Sequence, residues 1–213
     1  MSISLVTIVF DDGSFDADSV CKRIADVNAS GVVSGLPFEL VVIDNSPRPI
    51  REIQNLACDF SAKYQWCDGY NTYHGQAMNI AARLAEMDAI VYFCSGHCEV
   101  LDHSWLTDIV DPLADPLCGI AGSIGPCLYD RISADPKDWK IPQKHIQGAI
   151  CAMRRELMLE YPYGNRFPHN YSDVSMCLTL VNAGYRLVNV PSVRSVGIGR
   201  ANRIGAKIIH DYK

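Results

Sequence analysis

Residues 88–106 read DAIVYFCSGHCEVLDHSWL, an apolar run that passes straight into a small polar turn and then into the start of a helix. A strand that ends in this way is where ligands bind in open α/β sheets. Helix N-termini and loop amides converge at the carboxyl ends of the strands, and the strands hold them rigidly. Ser95, Gly96, His97 and Glu99 would line that crevice. A surface turn carrying a stray histidine is the plainer alternative, and the rest of the chain has to decide between the two.

Outward from this stretch the same grammar repeats. Residues 4–10 (SLVTIVF) and 38–43 (FELVVI) are short β-rich runs, each closed by an acidic turn, Asp11-Asp12-Gly13 in one case and Asp44-Asn45-Ser46-Pro47 in the other. Between them, Val20, Cys21, Ile24 and Val27 recur at helical spacing over residues 18–29, and Gly31 with Gly35 closes the segment. A second helix is expected over residues 50–62, a short strand around 64–67, and a third helix within 71–85. The alternation β-α-β-α-β-α-β up to Phe93 predicts one largely parallel sheet with helices on both faces. Downstream the pattern predicts a helix over 105–112 and a strand of small residues over 118–124. Residues 125–144, rich in proline, glycine and charge, form a loop on the ligand side that could serve as a lid. A strand over 144–153 follows, in which Gly148 and Ala149 allow close backbone approach, then a short helix over 154–160. The last elements are a helix over 172–183, opened by Ser172 and closed by Gly184, and a strand over 185–190. Neither GxGxxG nor GxxxxGK[ST] occurs, so phosphates must be held by other means.

Composition narrows the class. The chain has 213 residues, enough for one well-buried α/β domain; 48% are hydrophobic and 20% charged, which excludes intrinsic disorder. A net charge of −5 argues against a sequence-independent grip on nucleic acid. The nine cysteines are odd in number and scattered through the expected elements, with no CxxC pair, which fits reduced thiols in a cytoplasmic setting better than a disulfide framework or a structural zinc. No run approaches the ~18 apolar residues of a membrane span, and the N-terminal residues carry no basic leader. The expected organisation is one domain over 1–196 with a basic tail over 197–213.

Three stretches then stand in a fixed order: VVIDNS at 41–46, FCSGHCEV at 93–100, and QGAICAMRRELM at 147–158 with NYSDVSMCLTLVNAGYRLVNVP at 170–191. Together they resemble the inverting glycosyltransferases of family 2, which have the GT-A fold. The likeness is most specific in the last stretch. Gly148, Ala149, Arg154, Arg155, Glu156, Asp173, Val174, Cys177, Leu178, Leu180, Gly184, Tyr185, Arg186 and Pro191 match the family's "GA…RRE…EDVDLCLRLRLAGYRIVYVP" pattern. Gly75, Ala77 and Asn79 are similar to the family's residues ahead of its metal-binding strand. The resemblance implies transfer of a sugar from a nucleoside-diphosphate sugar to an acceptor hydroxyl, with Asp173 as general base and Asp44, with Asn45 beside it, at the nucleoside. The residues themselves leave alternatives open: Asp44-Asn45-Ser46-Pro47 would equally cap a helix, and Asp173 would equally complement a helix dipole.

The departures from the family pattern are as informative. Its DxD motif, which holds the metal on the donor diphosphate, aligns with Ser95-Gly96-His97, so both carboxylates are gone. Either His97, with Glu99 as a weaker ligand, holds manganese or another divalent cation, or His97 and nearby basic groups neutralise the diphosphate directly. The family's Glu before Asp173 is Ser172. The donor site is expected to comprise Asp44, Asn45, Gly75, Asn79, Ser95, Gly96, His97, Gly148 and Ala149, and Trp139, Asn170, Tyr171 and Ser172 are expected to border the acceptor, a glycan or another hydroxyl compound. Trp66, Trp105 and Trp139 would either stack on a ligand or serve the core. A homo-oligomer or a partner chain would supply missing acceptor elements. Two rivals stand beside this reading. One is a nucleotide-sugar-binding or assembly protein that has lost catalysis. The other is a nucleotidyltransferase, which calls for a basic glycine-rich loop after the first strand that Phe10-Asp11-Asp12-Gly13 does not supply.

Overall fold

Seven strands build one sheet in the order β3-β2-β1-β4-β6-β5-β7. The computed structural model describes residues 1–11, 13, 15–96, 98–124, 145–164, 172–191 and 193. The strands are β1 (Ile3–Val9), β2 (Phe38–Asp44), β3 (Lys63–Trp66), β4 (Ala89–Phe93), β5 (Cys118–Ile124), β6 (Ile146–Arg154) and β7 (Arg186–Asn189). β1 pairs in parallel with β2 and β4, β2 with β3, and β5 with β7, whereas β6 runs antiparallel between β4 and β5. The sheet is mostly parallel, as the alternation predicts. The reversed direction of β6 is new, because an apolar run carries no mark of its direction.

Both faces of the sheet are buried, which explains the continuous apolar runs. On one face Leu5, Val9, Val42, Val91 and Phe93 pack against α1 (Ala17–Ser34), α2 (Arg51–Asp59) and α4 (Trp105–Val110), through Ile24, Val27, Ile53, Leu106 and Ile109. On the other face Val6, Val41, Ile43, Ile90 and Tyr92 meet α3 (Tyr73–Leu84), α5 (Arg155–Glu160) and α6 (Ser172–Asn182), through Ala77, Met78, Ala81, Leu157 and Cys177. Alternate residues of one strand thus feed opposite cores, each fully buried aliphatic side chain contributing about 1.5–3 kcal/mol.

The end of α1 differs from expectation. α1 runs through Gly31 and stops only at Gly35, whose φ of 68° supplies the left-handed cap. Gly31 is not a terminator: a Cβ there would lie 2.6 Å from the Phe38 ring, so the glycine lets β2 pack against the helix. The loop expected over 125–144 and the tail expected over 197–213 lie outside the described residues. Among the described residues no helix is long and apolar enough to cross a membrane.

Candidate active site

The carboxyl ends of β1, β2 and β4, the start of β6 and the first turns of α3 and α6 meet at one edge of the sheet. Asp173 occupies the first turn of α6 with its side chain 24% exposed. Its Oδ2 accepts the Gly148 N–H at 3.0 Å and its Oδ1 accepts its neighbour's N–H, from Val174, at 2.8 Å. Gly148 is needed for that approach, because a Cβ there would come within 3.1 Å of Asp173 Cβ and 3.3 Å of His74 Cε1. The carboxylate therefore sits in a fixed position with acceptor capacity left over.

Two histidines flank Asp173 that the sequence did not single out. His145 Nε2 lies 3.8 Å from Asp173 Oδ2, beyond hydrogen-bond range, and its side chain is only 7% exposed. Burial pushes its pKa below the ordinary 6.5, with Asp173 pulling the other way. His74 Nδ1 shares a hydrogen bond of 2.9 Å with the Ser172 hydroxyl, and its ring packs against Tyr92 and Tyr163. The Ser172 hydroxyl, which stands where the resemblance has a glutamate, thus faces an imidazole and is buried. Neither histidine belongs to a spacing motif. The only hints in the sequence are their places, one residue before Gly75 and three before Gly148.

His145 gives the fold a pH dependence. Because the folded state resists protonation of this imidazole, the unfolded chain takes up the proton first as pH falls through about 6.5. Stability from this group is complete above that pH and is lost below it. Urea midpoints measured from pH 8 to 5 are expected to drop on the acid side, and His145→Gln is expected to flatten that part of the profile. An unchanged slope in the variant would assign the acid sensitivity elsewhere.

Several expected ligand contacts turn inward instead. Asp44 has no exposed surface: Oδ1 accepts from Ser46 N at 2.9 Å, and Oδ2 from Ile50 N at 3.0 Å and from the Tyr64 hydroxyl at 2.6 Å. It caps its own loop and the entry to α2, the role the sequence left open beside contact with a nucleoside. Asn45 staples that loop to the next, accepting from the Thr72 hydroxyl at 2.7 Å. Asn79 clamps the backbone of Tyr163, receiving its N–H and donating to its C=O, both at 2.9 Å. Gly75 admits the Tyr163 side chain, with 3.1 Å to a notional Cβ. The side-chain polar atoms of Asp44, Asn45 and Asn79 thus hold neighbouring backbone groups and hydroxyls in place.

The turn after β4 is held from beneath. Ser95 is buried and its hydroxyl accepts from Thr7 Oγ1 at 2.7 Å; Arg23, buried on α1, donates from one nitrogen to the carbonyls of Ser95 at 2.9 Å and Gly96 at 3.2 Å. Gly96 borders open space, with nothing within 4 Å of a notional Cβ. Ala149 accepts the Cys94 N–H at 2.8 Å, which ties β6 to the same turn. Glu99 is exposed and reaches Arg23 only at 3.9 Å. His97, Trp139, Asn170 and Tyr171 lie outside the described residues. Among the described residues no three His, Cys, Asp or Glu side chains converge to hold a metal. Among the described residues of the turn the carboxylate is that of Glu99, which stands 3.9 Å from the Arg23 guanidinium. Trp66 and Trp105 prove structural, the first donating to Ser46 O and the second, 7% exposed, to Ser30 Oγ. Trp105 also walls a cavity of about 280 Å³ on the Glu99 side of β4, of which Asp173 is not a wall.

The sequence matches no protein-family profile, and no curated protein is similar to it in sequence. By shape it is similar to glucosyl-3-phosphoglycerate synthase from Mycobacterium tuberculosis in complex with Mn2+, UDP and phosphoglyceric acid, with a TM-score of 0.67 and 16% identity over 96% of this chain and 73% of that one. It is similar to the mannosyltransferase PcManGT from Pyrobaculum calidifontis in complex with GDP-mannose and Mn2+, at 0.66 and 17%, covering 95% of this chain and 59% of that one. A CMP:2-keto-3-deoxy-manno-octonic acid synthetase complexed with CTP follows at 0.58 and 12%, with 89% of each chain covered. The chain is a single α/β domain with the GT-A, Rossmann-like fold. It spans 59% of the length of the mannosyltransferase it matches.

Proposed function

We propose that this protein transfers a sugar from a nucleoside-diphosphate sugar to an acceptor hydroxyl with inversion at the anomeric carbon, and that Asp173 is the general base. What supports this reading is the partly exposed carboxylate at the mouth of α6, fixed by the Gly148 and Val174 N–H groups at the ligand edge of a GT-A sheet. The acceptor oxygen bonds to the anomeric carbon as the bond from that carbon to the diphosphate breaks. The electron pair departs on the diphosphate, and the hydroxyl proton passes to Asp173. The loops after β1 and β2, locked together by the bond from Asp11 N–H to Ser46 Oγ at 2.9 Å, form the floor of the nucleoside seat.

A second reading, binding of a nucleotide sugar without turnover, is favoured by one observation: the turn after β4 presents a buried serine and a glycine where the family carries acids. A panel of nucleotide sugars, each with manganese, magnesium or chelator, separates the two. One donor is expected to raise the thermal midpoint and to release its nucleoside diphosphate slowly, by transfer to an added alcohol or to water. Binding without release across all acceptors would favour the second reading, and a panel with no stabilising donor would defeat both.

A further inference from the structure

The inference rests on the donor reading above and concerns how its diphosphate is held. Among the described residues Arg23 is the buried guanidinium that bonds the turn after β4, with its side chain 9% exposed. A buried charge needs compensation. Here the described partners are two neutral carbonyls, at 2.9 and 3.2 Å, and a single carboxylate at 3.9 Å that is itself 71% exposed. Among the described residues the positive charge is thus only weakly neutralised.

The carbonyl contacts also set the orientation of the turn. With the Ser95 C=O directed at Arg23, the planar trans peptide directs the Gly96 N–H the opposite way, away from the guanidinium. Gly96 has open space around its α-carbon on the side a Cβ would take, so that amide is not walled off by a side chain of its own. A backbone N–H directed outward in this way is one element of an anion-binding concavity. The Thr7 to Ser95 hydroxyl bond keeps the turn from rotating out of this arrangement.

We propose that Arg23 is the built-in cation of the donor seat. It turns the Ser95–Gly96 backbone so that its amide side meets the diphosphate, and it supplies the charge that a carboxylate-held metal would otherwise bring. Nucleoside-diphosphate binding therefore needs no divalent ion. Arg23 is a positioning residue, acting through the turn, and Glu99 is its counterweight rather than a metal ligand.

Calorimetric titration of the full chain with UDP, GDP, CDP and ADP, in chelator and in manganese, tests this. The nucleotide that binds is expected to do so with Kd values within about threefold of each other in the two conditions. Arg23→Met is expected to weaken it about tenfold or more, and Arg23→Lys to restore part of the loss. Glu99→Gln is expected to tighten binding about two- to fivefold, the size of an exposed ion pair released. Glu99 is exposed, so that variant remains informative if Arg23→Met fails to fold, which a urea midpoint reports. Binding that appears only with manganese, or that Glu99→Gln abolishes, would overturn the inference while leaving the donor reading intact. Absence of binding to any nucleotide in both conditions would overturn the donor reading and this inference with it.

Discussion

Asp173→Asn is expected to lower the rate of sugar transfer by about 10²- to 10⁴-fold while leaving donor affinity within about threefold. The amide keeps the size of the carboxylate but cannot take the acceptor proton, so what is lost exists only in the transition state. The substitution also has a structural cost. Asp173 accepts one N–H on each oxygen, from Gly148 and Val174, and an amide can accept on only one side. One N–H is left facing an NH2 group, at a cost of about 1–3 kcal/mol. A fall in thermal midpoint of that order is therefore part of the expectation, and the rate must be measured well below it. A folded variant that keeps full transfer activity would remove Asp173 from the mechanism. One that loses donor binding in proportion to rate would make it a binding group instead.

The fold was legible in the sequence because the residues that signal it are the ones that hold it together. Arg154 and Arg155, part of the most specific stretch of the resemblance, are clamps: Arg154 donates to Asp115 O at 3.0 Å and Pro116 O at 2.8 Å, and Arg155 to Ala82 O at 2.9 Å at the end of α3. Gly184 takes φ 92° after α6, and Gly119 admits Tyr185, whose Cβ would stand 2.8 Å from a Cβ there. Such residues identify a sheet and its connections, and they say little about chemistry. The candidate site was less legible for the same reason. Polar residues after strand ends, such as Asp44, Asn45 and Ser95, have the composition of ligand contacts, yet buried N–H and O–H groups nearby claim them first. His74 and His145 carry no signal in the sequence because each is a lone histidine on a separate stretch, and only folding brings them to Ser172 and Asp173. Arg23 sits among helical residues whose pattern carries no hint that it reaches the turn after β4, more than seventy positions away.

Asp44→Ala is expected to destabilise the fold by about 3–5 kcal/mol, a large part of the stability of an ordinary domain. The size follows from the number of donors left behind. The Ser46 and Ile50 N–H groups and the Tyr64 hydroxyl all converge on this one buried carboxylate, and a methyl group satisfies none of them. Tyr64→Phe removes a single donor and is expected to cost about 1–2 kcal/mol, measured like the first by urea unfolding. The phenol's own pKa is raised by burial and by the carboxylate beside it, so it remains a donor across the working pH range. The pair of variants separates a loop-building role from a ligand-gripping one. If Asp44 gripped the nucleoside, its removal would leave the unfolding midpoint near that of the parent chain and abolish donor binding. If it builds the loop, unfolding shifts in both variants in proportion to the donors orphaned. Donor affinity then falls only as far as the Asn45–Ser46 loop loses its shape, a loss that Tyr64→Phe, which keeps the carboxylate and both backbone bonds, largely escapes.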